Sequence, residues 1–184
     1  MGKKLSEMSL EELWQLFPIF LTEPNPLWRD WFDEEKRFLQ TVLPDSVQIR
    51  HVGSTAINGI WAKPIIDILA EMPRGLNMSD VCAMAVNSGY ICMQSSETRC
   101  QLCKGYTEQG FAERVFHLHL RYFGDCDEVY FRDYINAHPE DAKEYEKLKL
   151  SLSKVYRRDR DAYTYAKTDF VRDMTEKAKA ELDI

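Results

Sequence analysis

Residues 49–69 read Ile49-Arg50-His51-Val52-Gly53-Ser54-Thr55-Ala56-Ile57-Asn58-Gly59-Ile60-Trp61-Ala62-Lys63-Pro64-Ile65-Ile66-Asp67-Ile68-Leu69. A small Gly53-Ser54-Thr55 turn lies between two apolar strands, and a carboxylate, Asp67, sits inside the second. Glycine permits tight turn geometry and lets backbone come close to a ligand, so the N–H groups and hydroxyls of such a turn can face an anion. Burying a lone Asp among Ile65, Ile66, Ile68 and Leu69 is costly unless a cation or a hydrogen-bond donor meets it, and a metal ion is one such partner. The stretch therefore predicts a site that holds phosphate through a metal.

Outward from this stretch, the composition sets limits. With 184 residues the chain is one domain by length: N-terminal helices over 1–46, a sheet core over 47–124 and C-terminal helices over 125–184. A hydrophobic fraction of 45% and a charged fraction of 29% are ordinary for a globular protein. The net charge of −6 argues against general nucleic-acid binding, which needs fields of lysine and arginine. Lys3 and Lys4 are followed by Ser6, Glu7, Glu11 and Glu12 rather than an apolar run, and no segment has the length and apolarity of a membrane span. Five irregularly spaced cysteines fit reduced thiols, so a cytoplasmic location is expected. Cys100 and Cys103 form a lone C-x-x-C, which without a second pair reads as strand or turn cysteines rather than a zinc site.

Ser9 and Glu12 form a capping box before a short helix over 10–16, and a second helix is expected over 27–43, stopped by Pro44. Strands are expected over 47–52 and 65–72, with a turn and short helix between them. Ser79 and Asp80 are candidate caps for a helix ending near Gly89. Three more strands are expected over 90–94, 99–106 and 114–121. In the last, alternation sends His117 and His119 to one face and Leu118 and Leu120 to the other, toward the helices. Beyond Gly124 the pattern is helical: 128–137, 139–156 with Pro139 in its first turn, and 160–182. Helical spacing places Lys149 and Lys167 within or beside the apolar stripes of the last two helices, so both are expected to point inward.

The order strand, Gly-Ser turn, short helix, strand with an acidic residue resembles the opening of the nucleotidyltransferase fold shared by DNA polymerase beta and many nucleotide-adding enzymes. The wording His51-Val52-Gly53-Ser54-Thr55-Ala56, Gly59 and Ala62-Lys63-Pro64-Ile65-Ile66-Asp67-Ile68 is similar to the signature of the GrpB family of nucleotidyltransferase-like proteins. The resemblance continues through His117-Leu118-His119, Phe131-Arg132-Asp133-Tyr134, His138-Pro139-Glu140, Tyr145, Lys149, Tyr163 and Lys167. It implies an α+β fold, a nucleotidyltransferase-like mixed β-sheet packed by helices with a helical C-terminal segment. It also implies a turn that holds a triphosphate and carboxylates that hold metal. The chain departs from that pattern in one respect that matters. Asp67-Ile68-Leu69 lacks the second acid of the acid–hydrophobe–acid strand, and a two-metal mechanism needs more anionic ligands than one Asp supplies. Glu71 lies on the same face but four residues on, roughly 13 Å away at about 3.3 Å per residue, too far to share a metal.

His117 and His119 offer a replacement. If their strand neighbours that of Asp67, the three form a two-His, one-carboxylate set, which suits Zn, Mn or Fe better than Mg. The other reading of the pair is hydrogen bonding across a polar sheet face. Taken together, the expected ligand is a nucleoside triphosphate or another phosphorylated small molecule. Gly53, Ser54, Thr55, Lys63, Lys149 and Lys167 would lie around it, and a divalent metal (Mg, Mn or Zn) would sit on Asp67, His117 and His119, with Asp67 catalytic. Arg99, Lys104 and Arg114 are further cations that could surround the anion, and His51 could orient the turn or touch substrate. Three functions remain open at this point: a nucleotidyltransferase, an inactive nucleotide-binding regulatory module, and a metal-dependent phosphate-ester hydrolase.

Overall fold

A computed structural model of the chain describes residues 3–183. Helices α1 (Leu10–Leu16) and α2 (Leu27–Val42) precede strand β1 (Gln48–Val52), a 3₁₀ turn (Ser54–Ala56) and strand β2 (Ile66–Met72). Helix α3 (Met78–Asn87) leads into β3 (Ile91–Ser95), β4 (Arg99–Thr107) and β5 (Gly110–Tyr122). Helices α4 (Asp127–Ala137), α5 (Pro139–Val155), α6 (Arg160–Tyr165) and α7 (Thr168–Glu181) complete the chain. None of the described helices is long and apolar enough to cross a membrane.

The five strands form one mixed sheet in the order β1-β2-β5-β4-β3. Among the described strands only β2 and β5 run parallel, and the segment joining them contributes α3, β3 and β4. The sheet has two unlike faces because side chains alternate along each strand. Ile66, Ile68, Ala70 and Met72 of β2, with Phe116, Leu118 and Leu120 of β5, bury against Trp28, Phe32 and Leu39 of α2 and Val81 and Ala85 of α3. The opposite face carries Asp67, Leu69 and Glu71 beside His117, His119 and Arg121, and the helices after Gly124 cover it. Val129 and Cys126 pack on Leu69 and Val52, and Ile57 and Ile60 after the 3₁₀ turn bury against α4, α5 and α7.

Local differences from the sequence pattern have local causes. Helix α3 is capped by Asn77, whose carboxamide oxygen accepts from the N–H groups of Ser79 and Asp80, rather than by Ser79 or Asp80 themselves. The helix expected over 160–182 is broken in two, α6 ending at its cap Ala166 and α7 starting after Lys167. Both flanking stripes are helical, so periodicity alone carried no sign of the break. Cys100 and Cys103 do not act as a pair: Cys100 packs in the α2/α3 core, whereas Cys103 is the register partner of His117.

Candidate functional site

Gly53 begins the site. It has φ +72° and ψ −172°, a conformation essentially confined to glycine, and it brings the turn directly against Asp67. A Cβ at this position would lie 2.3 Å from Asp67 Oδ2 and 2.8 Å from Asp67 Cβ. The register pairs Val52 with Asp67, so the turn leaves β1 at the point where the carboxylate emerges from β2. Ala56 and Ile57 donate their N–H groups to the carbonyls of Gly53 and Ser54. The N–H groups of Ser54 and Thr55, in the first turn of this 3₁₀ segment, have no hydrogen-bond partner among the described residues.

The turn is clamped from behind. Thr55 is buried and its hydroxyl donates to the Ile65 carbonyl at 3.2 Å, so His51 Nε2, 3.0 Å away, must be the donor to Thr55 Oγ1. His51 stacks on Phe32, and burial pushes its pKa down to about 4, so it is a neutral Nε2–H imidazole. It orients the turn from the α2 side. The C-terminal helices staple the following loop: Arg132 donates to the His51 carbonyl at 2.6 Å, Asn136 bonds both Ala56 and Asn58, and Lys143 donates to the Gly59 carbonyl. Glu146 accepts from the Trp61 N–H at 2.6 Å, and Lys149 donates to the Trp61 carbonyl.

Asp67 and the two histidines converge. In the parallel register Asp67 faces His117 and Leu69 faces His119. Asp67 Oδ1 lies 3.2 Å from His117 Nδ1 and 3.3 Å from His119 Nε2, and one ligand atom from each of the three residues lies within 4.8 Å of the others. Burial alone would raise the Asp67 pKa, but the hydrogen bonds from the two imidazoles outweigh it and hold the carboxyl well below the usual carboxylate range. His117 Nε2 meets the Tyr106 hydroxyl at 2.8 Å and Arg160 Nη2 at 3.1 Å. A guanidinium can only donate, so that nitrogen is an acceptor and the His117 proton sits on Nδ1, donated to Asp67. Burial, with the Arg160 charge adding to it, lowers the His117 pKa and keeps the ring neutral.

This donor set fits one divalent cation of the zinc or manganese class. A tetrahedral ion with ligands at about 2.0–2.1 Å has ligand–ligand edges of about 3.3–3.4 Å, close to the two separations between Asp67 Oδ1 and the imidazole nitrogens. Two imidazoles and one carboxylate suit such an ion better than magnesium. Coordination by His117 Nδ1 requires its proton to move to Nε2, where the Tyr106 hydroxyl can accept the hydrogen bond, and Arg160 then gives up its bond to Nε2 and keeps the one it donates to the Tyr106 hydroxyl. The set does not fit two ions. Glu71 is buried at the far end of the face, 3.4 Å from Arg50, and supplies no second carboxylate.

The lysines form a separate layer over two buried rings, Tyr163 and Tyr145. Lys63 and Lys167 lie 5.1 and 4.6 Å from its ring centre, and Lys149 lies 4.7 Å from that of Tyr145. Burial, followed by the charges of Lys167 and Arg160, pushes Lys63 down to about 7, with Asp67 acting in the opposite direction. Burial and the neighbouring Lys167 likewise bring Lys149 down to about 7. None of Lys63, Lys149, Lys167 and Arg160 has a carboxylate within 4.0 Å among the described residues. The other expected cations are spent elsewhere: Lys104 on Glu35 across the opposite face, Arg99 on Asp125, and Arg114 on Glu34. Arg160 and Tyr106 were not singled out from the sequence. The spacing of Arg160, Tyr163 and Lys167, i, i+3 and i+7, would have found the arginine, but Tyr106 reaches His117 through a register shift after Lys104 that no sequence pattern announces.

Comparison with known proteins follows this geometry. Residues 18–177 match the family described as GrpB protein. The chain is 35% identical over 162 residues to the glutamate-rich protein GrpB of Alkalihalophilus pseudofirmus, covering 83% of this chain and 91% of that protein. It is 35% identical over 151 residues to a UPF0157 protein of Pseudomonas aeruginosa, covering 80% of this chain but 62% of that relative's length. Against YqkA of Bacillus subtilis the figures are 33% over 159 residues, 84% of this chain and 46% of the relative. The chain thus spans about half to two thirds of those two relatives. The crystal structure of conserved protein GrpB from Enterococcus faecalis superposes with a TM-score of 0.76 at 26% identity, covering 90% of this chain and all of that one. The five-stranded mixed sheet, its helical cover and the matched span agree, and the chain belongs to the GrpB family.

Proposed function

We propose that this protein binds a nucleoside triphosphate or another phosphorylated small molecule on the covered face of the sheet, together with one divalent cation on Asp67, His117 and His119. One observation carries the reading. Lys63, Lys149, Lys167 and Arg160 gather without a carboxylate within 4.0 Å of any of them among the described residues, Lys63 close enough to Asp67 to feel its charge and Arg160 bonded to His117, the partner of Asp67. Cations crowded together without counter-ions lower stability, Lys149 the more so because it is buried, and a polyanionic ligand is the partner that relieves them. The cation would neutralise phosphate charge and polarise a phosphoryl oxygen. Lys63, Lys149 and Lys167 would hold the phosphate oxygens, the Ser54 and Thr55 N–H groups would donate to one of them, and Gly53 lets the ligand approach Asp67. Nucleotidyl transfer is the activity suggested by the turn-and-Asp order. The single carboxylate favours a second reading, in which one cation serves phosphate-ester hydrolysis or simple binding.

Calorimetric titration with each nucleoside triphosphate, with and without Mg, Mn or Zn, tests the binding. Metal-dependent affinity that falls at least tenfold in Asp67→Asn is expected, with the circular dichroism spectrum unchanged. Equal affinity in the variant refutes the site. Pyrophosphate release then marks the transferase, orthophosphate release the hydrolase, and binding without either the module.

A further inference from the structure

A second group of soft ligands lies on the other side of the sheet, away from Asp67. Cys82 of α3, Cys92 of β3 and Cys100 of β4 bring their sulfurs together, one ligand atom from each within 4.8 Å of the others. The Sγ–Sγ separations are 3.9 Å for Cys82–Cys92, 3.8 Å for Cys92–Cys100 and 2.7 Å for Cys82–Cys100. All three thiols are free; Cys82 and Cys100 are buried and Cys92 is exposed. The grouping depends on tertiary structure, since the three come from different elements and are separated by 10 and 8 residues in sequence.

We propose that Cys82, Cys92 and Cys100 form a three-thiolate site for a soft cation of the zinc or monovalent copper class. Three arguments support it. Thiolates select such ions over the hard cations that suit carboxylates. With metal–sulfur bonds of about 2.3 Å, a tetrahedral ion has sulfur–sulfur edges of about 3.8 Å and a trigonal one about 4.0 Å. The two separations involving Cys92 already have that size, and only the Cys82–Cys100 edge must open, by about 1.1–1.3 Å, which is within reach of a side-chain rotation of Cys82. Thirdly, the exposure of Cys92 gives the ion an entry path and leaves a solvent molecule free to serve as fourth ligand. Protons on the buried sulfurs oppose binding: burial raises the pKa of both Cys82 and Cys100, so these two thiols rest protonated and a cation must displace their protons. The site is independent of the phosphate-binding reading, because it shares no residue with it.

Cobalt(II) serves as a probe, because thiolate ligation gives sulfur-to-cobalt charge-transfer absorption that imidazole and carboxylate ligands do not. The reduced full-length protein is expected to take up one equivalent with that absorption, to retain it in Asp67→Asn, and to lose it or bind at least tenfold more weakly in Cys92→Ser. Zinc and monovalent copper, added in competition, should each bleach the band, and the tighter competitor identifies the class. Since Cys92 is exposed, its serine variant should fold, and bound zinc should protect Cys92 from alkylation in the wild type. Absence of the charge-transfer band, its survival in Cys92→Ser, or unchanged alkylation with zinc overturns the proposal. A mass two hydrogens lower on purification without reductant, with no metal bound, also overturns it by assigning Cys82 and Cys100 to a disulfide.

Discussion

Replacing Gly53 by alanine asks the most of this structure, because the glycine has two separate jobs. Its backbone, at φ +72° and ψ −172°, lies in a region that costs a side-chain-bearing residue about 1–3 kcal/mol. Its Cβ would then lie 2.3 Å from Asp67 Oδ2, so the carboxylate must rotate away. That rotation strains or breaks the hydrogen bonds to His117 and His119, and a hydrogen bond to a charged group is worth about 1.5–3 kcal/mol. The combined loss is on the order of 3–5 kcal/mol, roughly 10 °C in melting temperature for a chain of this size. Gly59→Ala is the internal control. It also has a positive φ, +69°, but a Cβ there meets nothing within 4 Å, so only backbone strain of about 1–2 kcal/mol applies. Urea unfolding at pH 7, with the denaturant slope checked to be unchanged, gives both values. A Gly53→Ala cost within about 0.5 kcal/mol of the Gly59→Ala cost would show that the turn does not press on Asp67, and the turn and the carboxylate would no longer belong to one site.

Lys149 holds its proton less tightly folded than unfolded, with a pKa near 7 against about 10.4, so the unfolded chain binds extra protons across that window. Stability should therefore rise from pH 7 to pH 10, and Lys149→Met should flatten the rise; equal slopes in urea titrations of the two proteins refute it. His51 also has a depressed pKa, about 4, so its contribution is present above about pH 6.5 and lost as pH falls toward 4, by at most about 3 kcal/mol. His51→Gln keeps an N–H donor for Thr55 without titrating and should show a shallower acid loss; an unchanged acid limb counts against the neutral tautomer. Since Lys63 and Lys149 both titrate near 7, a bound polyanion should raise both and draw protons from solution at pH 7.5. Calorimetry in buffers of different ionisation enthalpy measures that uptake, and proton release on binding would contradict the placement of the ligand.

The arrangement of the sheet was legible where alternation settles the matter. His117-Leu118-His119-Leu120 assigns each residue to a face without knowledge of partners, and the parallel register with Ile66-Asp67-Ile68 then makes Asp67 and His117 neighbours. Lys149 and Lys167 were legible as lysines in apolar stripes, and Lys149 is indeed buried. What could not be read required a third dimension. Lys104 resembles a site cation in sequence, yet Glu35, one turn from Phe32 and Leu39 on the buried face of α2, claims it across the core. Thr55 reads as a phosphate ligand in a Gly-Ser-Thr turn, but its hydroxyl is engaged by Ile65 and His51, partners ten and four residues distant. The thiol trio escaped notice because spacing drew attention to Cys100 and Cys103, which sit on opposite faces of β4.

In this chain the turn and Asp67 occur without a second carboxylate on the strand to share a metal, and the distribution of charge bears on what that leaves possible. A pair of cations needs a pair of acids, because two dications about 4 Å apart repel strongly unless anions lie between them. Here the second acid is absent, and the carboxylate has Lys63 beside it, with Lys167 and Arg160 close to that lysine and Lys149 of α5 next to Lys63 and Lys167. Lysines held in place can offset phosphate charge as a second metal would, but they cannot lower the pKa of an attacking hydroxyl as a metal does. Under the function proposed above, such an exchange would keep phosphate binding while weakening activation of a nucleophile. Arg160 extends the same logic to His117: by donating to Nε2 it keeps the single proton of the neutral imidazole on Nδ1, where it is donated to Asp67, so the carboxylate remains anionic and aimed.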